Sequence, residues 1–314
     1  MTNLWQRVYR EIRTTSPDTL ISSYRGDVCA STGSLYMNNG PPPNSTNSIA
    51  TCSKPDELGQ YFHPTEMHGI TIQEGPDGNS DEMPTYWFWH PWVCAKNITG
   101  CPWVGHGNAS RIFDSYLKTV GHGAVLNMNI PPERTGRMNA SVAAVMREVG
   151  QALNDTFGTS IAAIPSQLAT NCATASDATV VDVSSKPFDY IVIQEDLSQG
   201  QRIANYSVEF QREGSSTWEV MVTAGGCVKH NCTNTRESAS HGFSDRPDGH
   251  DPRDQYVGHK RIDMPIVPTS GAGRVPVAKV RFSCHQAFAD PIHVRSFALH
   301  LKNVPWETNI ENPE

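Results

Sequence analysis

The spacing of apolar residues changes near the middle of this chain of 314 residues. In the first half, apolar residues recur every three to four positions in three segments, which predicts amphipathic helices. In the second half, short segments alternate apolar and polar residues, which predicts strands with one buried face. The predicted helices cover residues 3–13, 110–121 and 139–156, and the predicted strands of the second half cover residues 190–195, 206–211, 217–222, 277–284 and 293–301.

Short apolar segments alternate with the predicted helices of the first half. Residues 20–24, 69–73 and 124–130 are predicted strands, and this alternation favours a parallel α/β architecture, either a barrel or an open sheet. No convincing helix interrupts the later strands, which favours an antiparallel β-sandwich. We therefore expect two domains, an α/β domain over residues 1–160 and a β-sandwich over residues 161–314.

Composition and motifs argue against several classes of function. The chain has 32 acidic and 25 basic side chains, and a net charge of -7 disfavours nucleic acid as the main partner. No apolar run approaches the roughly 20 residues that a membrane span needs. The motifs of serine hydrolases, zinc proteases and nucleotide-binding enzymes do not occur. The histidines and cysteines lack ligand spacing, so we expect no metal and no cofactor. The sequence carries no signal for an oligomeric state.

Cysteines and glycosylation sequons favour a secretory route, and we expect an extracellular or lysosomal protein. Eight cysteines allow up to four disulfides, and two pairs would close short loops, Cys94 with Cys101 and Cys227 with Cys232. The first twelve residues have no apolar stretch typical of a signal peptide, so either one was removed or the chain is the later part of a longer protein. Seven Asn-x-Ser/Thr sequons begin at Asn44, Asn97, Asn108, Asn139, Asn154, Asn205 and Asn231.

An aromatic run is a candidate for sugar binding, and a nearby carboxyl is a candidate for acid catalysis. Tyr86 to Trp89 are consecutive aromatic residues followed by His90, and aromatic faces suit the C–H face of a sugar ring. The alternative is that part of this run simply packs in a core. Glu66 precedes the second predicted strand, and an acid near an apolar site can serve as a general acid. On composition alone, however, a solvated surface glutamate is the commoner case.

Several motifs, in order along the chain, resemble the α-L-fucosidases of glycoside hydrolase family 29. The first domain carries a Pro-Thr-Glu at Glu66, a Trp-Phe-Trp-His ending at His90, and a strand that ends in two prolines at Pro131 and Pro132. The second domain carries Gly-Gln-Arg-Ile ending at Ile203 and Gly-His-Lys-Arg-Ile ending at Ile262. The resemblance covers nearly the whole chain, and the likeness to the plant and bacterial branch of the family is closest in the first domain.

The resemblance implies an incomplete (β/α)8-type (TIM-like) barrel followed by an antiparallel β-sandwich of galactose-binding or discoidin-like type. It implies a retaining hydrolase of terminal α-L-fucosyl residues, with fucosylated glycans or glycoproteins as partners and two carboxyls about 5–5.5 Å apart. Glu66 matches the acid/base position, Trp87 and His90 match the wall of the fucose pocket, and Arg25 matches a sugar-binding arginine.

The family's nucleophile has no counterpart in this chain. It lies on a barrel strand before the helix that corresponds to residues 3–13, so residues 1–160 correspond to the later half of the barrel. We therefore expect the chain alone to be inactive, and to hydrolyse fucosides only when the front half is supplied. Two alternatives remain open at this stage, a non-catalytic secreted protein that binds fucose or other glycans, and a fragment that does not fold alone.

Overall fold

The structure is a computed structural model, and it divides into an α/β part and a larger β part. The parts of the chain that it describes are residues 2–16, 29–31, 65–71, 109–121, 124–130, 132–199, 201–223 and 257–306.

The described residues of the first half include three long helices, as the helical spacing predicts. They are α1 (Thr2–Thr15), α2 (Ala109–Thr119) and α3 (Ala140–Phe157), each within two residues of its predicted bounds. The apolar stripe of α1 includes Val8, which remains 42 % exposed. The stripes of α2 and α3 are covered instead, because Ile112 of α2 packs against Val142 and Val149 of α3.

A three-stranded parallel sheet accompanies these helices. Its strands are β1 (Cys29–Ser31), β2 (Thr65–Thr71) and β3 (Ala124–Asn129), in that order across the sheet. The predicted strand at 124–130 is confirmed, and the strand predicted at 69–73 begins four residues earlier. The strand predicted at 20–24 lies outside the described residues. A parallel sheet joined through helices is the expected product of strand–helix alternation, whereas closure into a barrel remains a prediction.

The described residues of the second half form two antiparallel sheets, so the prediction of antiparallel strands there is confirmed. One sheet has the order β10 (Arg261–Asp263), β7 (Tyr190–Glu195), β12 (Ile292–His300) and β4 (Ala162–Ala163), with β5 (Leu168–Thr170) also paired to β12. The other has the order β6 (Val181–Asp182), β11 (Val277–Ala287), β8 (Ile203–Arg212) and β9 (Trp218–Thr223). A short helix α4 (Ala175–Ala178) lies before β6, where no helix was predicted.

The two antiparallel sheets share one hydrophobic core and therefore form a sandwich. Tyr206 and Phe210 of β8 meet Phe282 of β11 in this core, and Ile193 of β7 and Phe297 of β12 enter it from the other sheet. Those of β8 and β11 come from segments that alternate apolar and polar residues, because successive side chains of a strand point to opposite faces. The discoidin-like type of the sandwich remains a prediction, as do the domain bounds at residues 160 and 161.

Strand β7 is buried on both of its faces. Ile191 and Ile193 point into the sandwich core, whereas Tyr190 and Val192 join a second cluster with Phe113 of α2. An uninterrupted run of large apolar residues is the sequence pattern of a strand covered on both sides. Helices α2 and α3 therefore pack directly on the outer face of the sandwich.

Phe157 is the centre of an aromatic junction between the helices and the sandwich. Its ring centroid lies 6.1 Å from that of Phe113, 6.0 Å from Tyr116, 5.4 Å from Tyr190 and 5.5 Å from His300. Such separations are typical of favourable aromatic pairs, each contributing about 0.5–1.5 kcal/mol beyond its burial. The two helices and two strands of the sandwich thus share one packing centre.

A lysine and a glycine complete this junction. Lys260 Nζ donates a hydrogen bond to Tyr116 OH at 2.7 Å and lies 5.4 Å from the centroid of the Phe157 ring. Gly121, just after α2, accepts a hydrogen bond at its carbonyl from the Ile262 N–H at 2.8 Å. A Cβ at Gly121 would lie 2.2 Å from the Leu117 carbonyl oxygen, so this close approach requires glycine.

A disulfide between Cys172 and Cys284 joins the segment before α4 to strand β11. The two cysteines are 112 positions apart, and their Cα atoms lie 5.0 Å apart. Both pack against the sandwich core. The predicted loop cysteines Cys94, Cys101, Cys227 and Cys232 lie outside the described residues, so their pairings remain predictions.

We predict that the double variant Cys172→Ser/Cys284→Ser is less stable than the parent by about 2–4 kcal/mol, because the bridge restricts a long loop of the unfolded chain. Urea unfolding followed by far-ultraviolet circular dichroism measures the difference. The single variant Cys172→Ser breaks the same bridge and serves as a control that should lose a similar amount. A double variant within 0.5 kcal/mol of the parent would contradict the prediction.

Candidate functional site

Glu66 lies in the central strand of the parallel sheet. It is the second residue of β2, in register with Ala30 of β1 and Val125 of β3. The sequence analysis placed Glu66 just before a predicted strand. In the structure, β2 begins at Thr65 and includes Glu66. In parallel β/α proteins, ligands gather at the carboxyl ends of the strands, whereas Glu66 lies near the amino end of β2. A catalytic role for Glu66 would therefore need the substrate to reach the amino end of β2.

The remaining predicted sugar-binding residues fall outside the described residues. They are Arg25, Trp87 and His90, so the structure does not place them beside Glu66. Their roles stay predictions that the resemblance implies.

Glu195 is the described carboxyl whose pKa departs furthest from its ordinary value. It ends strand β7, and its side chain is 3 % exposed. Burial raises the pKa of Glu195 from 4.5 to about 8, although backbone N–H groups of Arg202 and Ile203 act in the opposite direction. The second carboxylate oxygen, Oε2, is buried without a hydrogen-bond partner among the described residues. A proton on Glu195 at neutral pH relieves the cost of an uncompensated charge.

The contacts of Glu195 assign it a structural role rather than a catalytic one. Its Oε1 accepts hydrogen bonds from the backbone N–H groups of Arg202 and Ile203, the latter at 3.0 Å. These bonds hold the start of β8 against the end of β7, inside the sandwich. The sequence carried a signal for this burial, because Glu195 shares the inward face of β7 with Ile191 and Ile193.

A buried ion pair lies near the same edge of the sandwich. Arg261 Nε donates to Asp263 Oδ1 at 3.0 Å, and Tyr206 OH donates to Asp263 Oδ2 at 2.7 Å. All three residues are buried. Arg261 belongs to the Gly-His-Lys-Arg-Ile motif, so this part of the resemblance corresponds to a core contact that joins β10 to β8.

Three of the predicted sequons lie in described segments. Asn139 is the N-cap of α3, where its side-chain oxygen accepts the Ser141 N–H at 2.9 Å and its amide donates to Glu133 Oε1 at 2.7 Å. Asn154 is exposed on α3. Asn205 lies on β8, two residues before the buried Ser207. Asn44, Asn97, Asn108 and Asn231 lie outside the described residues.

No group of three or more His, Cys, Asp or Glu side chains in the described ranges is arranged to hold a metal ion. Among the helices of the same ranges, none combines the length and the apolar character that crossing a membrane requires.

Comparisons with known proteins confirm the resemblance to the α-L-fucosidases. The chain is 25 % identical over 183 residues to a rice (Oryza sativa subsp. japonica) protein named as a candidate α-L-fucosidase 1. The match covers 58 % of this chain and 28 % of the rice protein. It is 22 % identical over 202 residues to the α-L-fucosidase 1 of Arabidopsis thaliana, covering 54 % of this chain and 34 % of that protein. No family model matches the chain.

The fold is also similar to that of solved structures. A glycoside hydrolase 29 family member from an unknown rumen bacterium superposes with a TM-score of 0.59 at 18 % identity, over 99 % of this chain and 47 % of that protein. The chain therefore spans about a third of the length of the curated relatives and about half of this structure.

We predict that Glu195 makes the protein less stable as the pH rises. The folded-state pKa of about 8 lies above the ordinary 4.5, so between these values the folded state holds a proton that the unfolded state has lost. The free energy of unfolding should then fall from pH 4.5 to 8, by on the order of 3–5 kcal/mol from this group. Glu195→Gln, measured by urea unfolding at several pH values, should remove that fall.

A matched control uses Glu219, whose carboxyl pairs with Arg212 on the surface. That hydrogen bond lowers the pKa of Glu219, so Glu219→Gln should keep the slope of the parent between pH 4.5 and 8. A Glu195→Gln variant with the parent's slope in that range would contradict the protonated state of Glu195.

Proposed function

We propose that this chain, which resembles the family 29 α-L-fucosidases in its ordered motifs and in its fold, forms part of a retaining α-L-fucosidase. The substrate class is terminal α-L-fucosyl residues of glycans or glycoproteins. The observation that carries the proposal is the match to two plant relatives that are named as α-L-fucosidases. The proposal includes completion of the parallel sheet into a (β/α)8-type barrel and a galactose-binding or discoidin-like type for the sandwich.

The proposed chemistry needs two carboxyl groups. In a retaining mechanism, a carboxylate attacks the anomeric carbon while a carboxylic acid protonates the departing glycosidic oxygen. The second group then removes a proton from water, which attacks the same carbon and releases the first carboxylate. We assign the acid/base role to Glu66, with Trp87 and His90 at the pocket wall and Arg25 on the sugar. The attacking carboxylate would come from polypeptide beyond these 314 residues.

A second candidate function is glycan binding without hydrolysis. The sandwich favours it, because its two sheets share a core of their own and most of the described residues belong to it. Isothermal titration with fucose and a fucosylated oligosaccharide, alongside an assay for released fucose, separates the two functions. If this chain, extended by the unmatched part of the Arabidopsis relative, binds these sugars without any release of fucose, the second function is favoured.

We further propose that the protein passes through the secretory pathway to an extracellular or lysosomal location. The cysteine content and the sequons support this, and so does the bridge between Cys172 and Cys284, because disulfides persist in oxidising compartments.

We predict that Glu66→Gln lowers kcat/KM for an alkyl α-L-fucoside by about 10²–10⁴-fold, because a poor leaving group needs a proton from the acid. The assay uses this chain extended by the unmatched part of the Arabidopsis relative. With an activated aryl fucoside, added azide should restore turnover, since azide attacks the fucosyl-enzyme without a general base. Glu195→Gln is the matched control and should keep the parent's activity.

Two results would contradict this assignment. A Glu66→Gln variant as active as the parent would exclude the acid/base role of Glu66. An unextended chain of 314 residues as active as the extended protein would show that the nucleophile lies within it.

We predict that Asn139 carries a glycan when the chain is expressed through a eukaryotic secretory pathway, because attachment at Nδ2 leaves one N–H for Glu133. Asn139→Ser removes the sequon but keeps an N-cap oxygen, so it should lose the glycan with little loss of stability. Asn139→Ala should lose the glycan and about 1 kcal/mol of unfolding free energy. Glycopeptide mass spectrometry and urea unfolding measure the two effects, and an unmodified Asn139 would contradict the prediction.

A further inference from the structure

The outer face of the sheet that contains β11, β8 and β9 carries a half-buried tryptophan. The inner face of this sheet supplies Phe210 and Phe282 to the sandwich core. Trp218 of β9 lies on the opposite face, in register with Gln211 of β8. Helices α2 and α3 pack on the other sheet of the sandwich, so they do not cover this face.

Arg281 and Glu209 hold this tryptophan in a fixed arrangement. The guanidinium carbon of Arg281 lies 4.1 Å from the centroid of the Trp218 ring. The same guanidinium approaches Glu209 Oε2 with Nε at 2.7 Å and Nη2 at 2.6 Å. The side chains of Arg281 and Glu209 are only 20 % and 17 % exposed. Ordering long charged side chains costs conformational entropy, so three groups already held together form a pre-organised surface.

Two hydrogen-bonding groups of this cluster are unused within the described residues. Both contacts of Arg281 go to Oε2 of Glu209, so Oε1 accepts no hydrogen bond there. The Trp218 indole N–H also has no acceptor in this part of the chain, and no other aromatic ring or cation of these residues lies against the indole. An acceptor, a donor and an aromatic ring therefore lie together on one sheet face.

The charges on this face favour a neutral ligand. Arg281 is in register with Glu209 of β8, and Lys279 is in register with Asp182 of β6, so each cation has an acid beside it. An aromatic ring packs against the C–H bonds of a sugar, whereas a carboxylate oxygen accepts hydrogen bonds from its hydroxyls. A pyranose with only equatorial substituents matches this set best, because its two faces carry C–H bonds and no axial oxygen.

We propose that Trp218, Glu209 and Arg281 form a binding site for a neutral, β-linked pyranose whose ring substituents are equatorial. The indole packs against one face of the sugar ring, Glu209 Oε1 accepts a hydrogen bond from a sugar hydroxyl, and Arg281 keeps the indole in place. In taking a glycan as the ligand, the inference rests on the proposed function. The position and geometry of the site rest on the contacts between β8, β9 and β11.

The experiment measures binding of methyl β-D-glucopyranoside to the full 314-residue chain by isothermal titration and saturation-transfer NMR. We expect binding, with magnetisation transferred to the ring C–H protons of the sugar. Methyl α-D-mannopyranoside has an axial oxygen on each face and should bind about tenfold more weakly. Trp218→Leu removes the flat ring and should raise the dissociation constant for the glucoside about tenfold.

Two further variants separate binding from folding. Trp218→Phe keeps an aromatic face and should retain more of the affinity than Trp218→Leu. Glu219→Gln is the matched control, because Glu219 is adjacent to Trp218 in β9 but pairs with Arg212 and is in register with Phe210 of the core. It should leave the affinity unchanged. The melting temperature of each variant shows whether the sandwich is intact.

Three results would overturn the inference. They are no binding of the glucoside by the parent chain, equal affinity for the two sugars, and equal affinity of the parent and Trp218→Leu. If Trp218 served only to pack against Arg281, Trp218→Leu would lower the melting temperature and leave the affinity unchanged. The probe is not a fucoside and no further polypeptide is added, so failure of the proposed hydrolysis and failure of this site are seen separately.

Discussion

The packing of aromatic rings around Phe157 is the contact on which the arrangement of this molecule depends. Phe157 ends α3, and its neighbours come from α2, β7 and β12, so one side chain joins both helices to both central strands of a sheet. Because Tyr190 and Val192 meet the helices while Ile191 and Ile193 meet the sandwich core, β7 belongs to both units. The helices and the sandwich therefore share an apolar interior. A substitution at Phe157 would disturb the packing of the helices and of the sandwich together.

The polar side chains near this interior are either uncharged or have contacts that offset the cost of burying their charge. Burial lowers the pKa of His300, which lies against the Phe157 ring, and raises the pKa of Tyr190, so both side chains are neutral at physiological pH. The ammonium group of Lys260 lies against the rings of Tyr116 and Phe157 and donates a hydrogen bond to the Tyr116 hydroxyl, and these contacts accommodate its positive charge. The buried carboxyl of Glu195 avoids an uncompensated charge because it binds a proton at neutral pH. Perturbed pKa values often mark active sites, but in the described part of this protein they accompany the joining of two structural layers.

Much of the fold could be predicted from the sequence, and the failures have physical causes. The long helices were placed within two residues because apolar stripes of 11 to 18 residues carry several periods. Strands β4, β6 and β10 have two or three residues, too few to display an alternation, so only their partners reveal them. The pairing of Cys172 with Cys284 depends on tertiary proximity that spacing along the chain does not encode. For the site, sequence resemblance identified Glu66, but only the strand register shows that it lies near the amino end of β2.

The bridge between Cys172 and Cys284 also bears on the long polar segment of residues 224–256, which lies between these two positions in the sequence. A protease that cut the chain once in that segment would leave two pieces still joined by a covalent bond. Strands β7, β8 and β9 would stay with one piece and β10, β11 and β12 with the other, held in register by their pairing across the cut. Such a nicked protein would stay one covalent unit under non-reducing conditions, heavier only by the water consumed in the cleavage, and would separate into two polypeptides on reduction and unfolding.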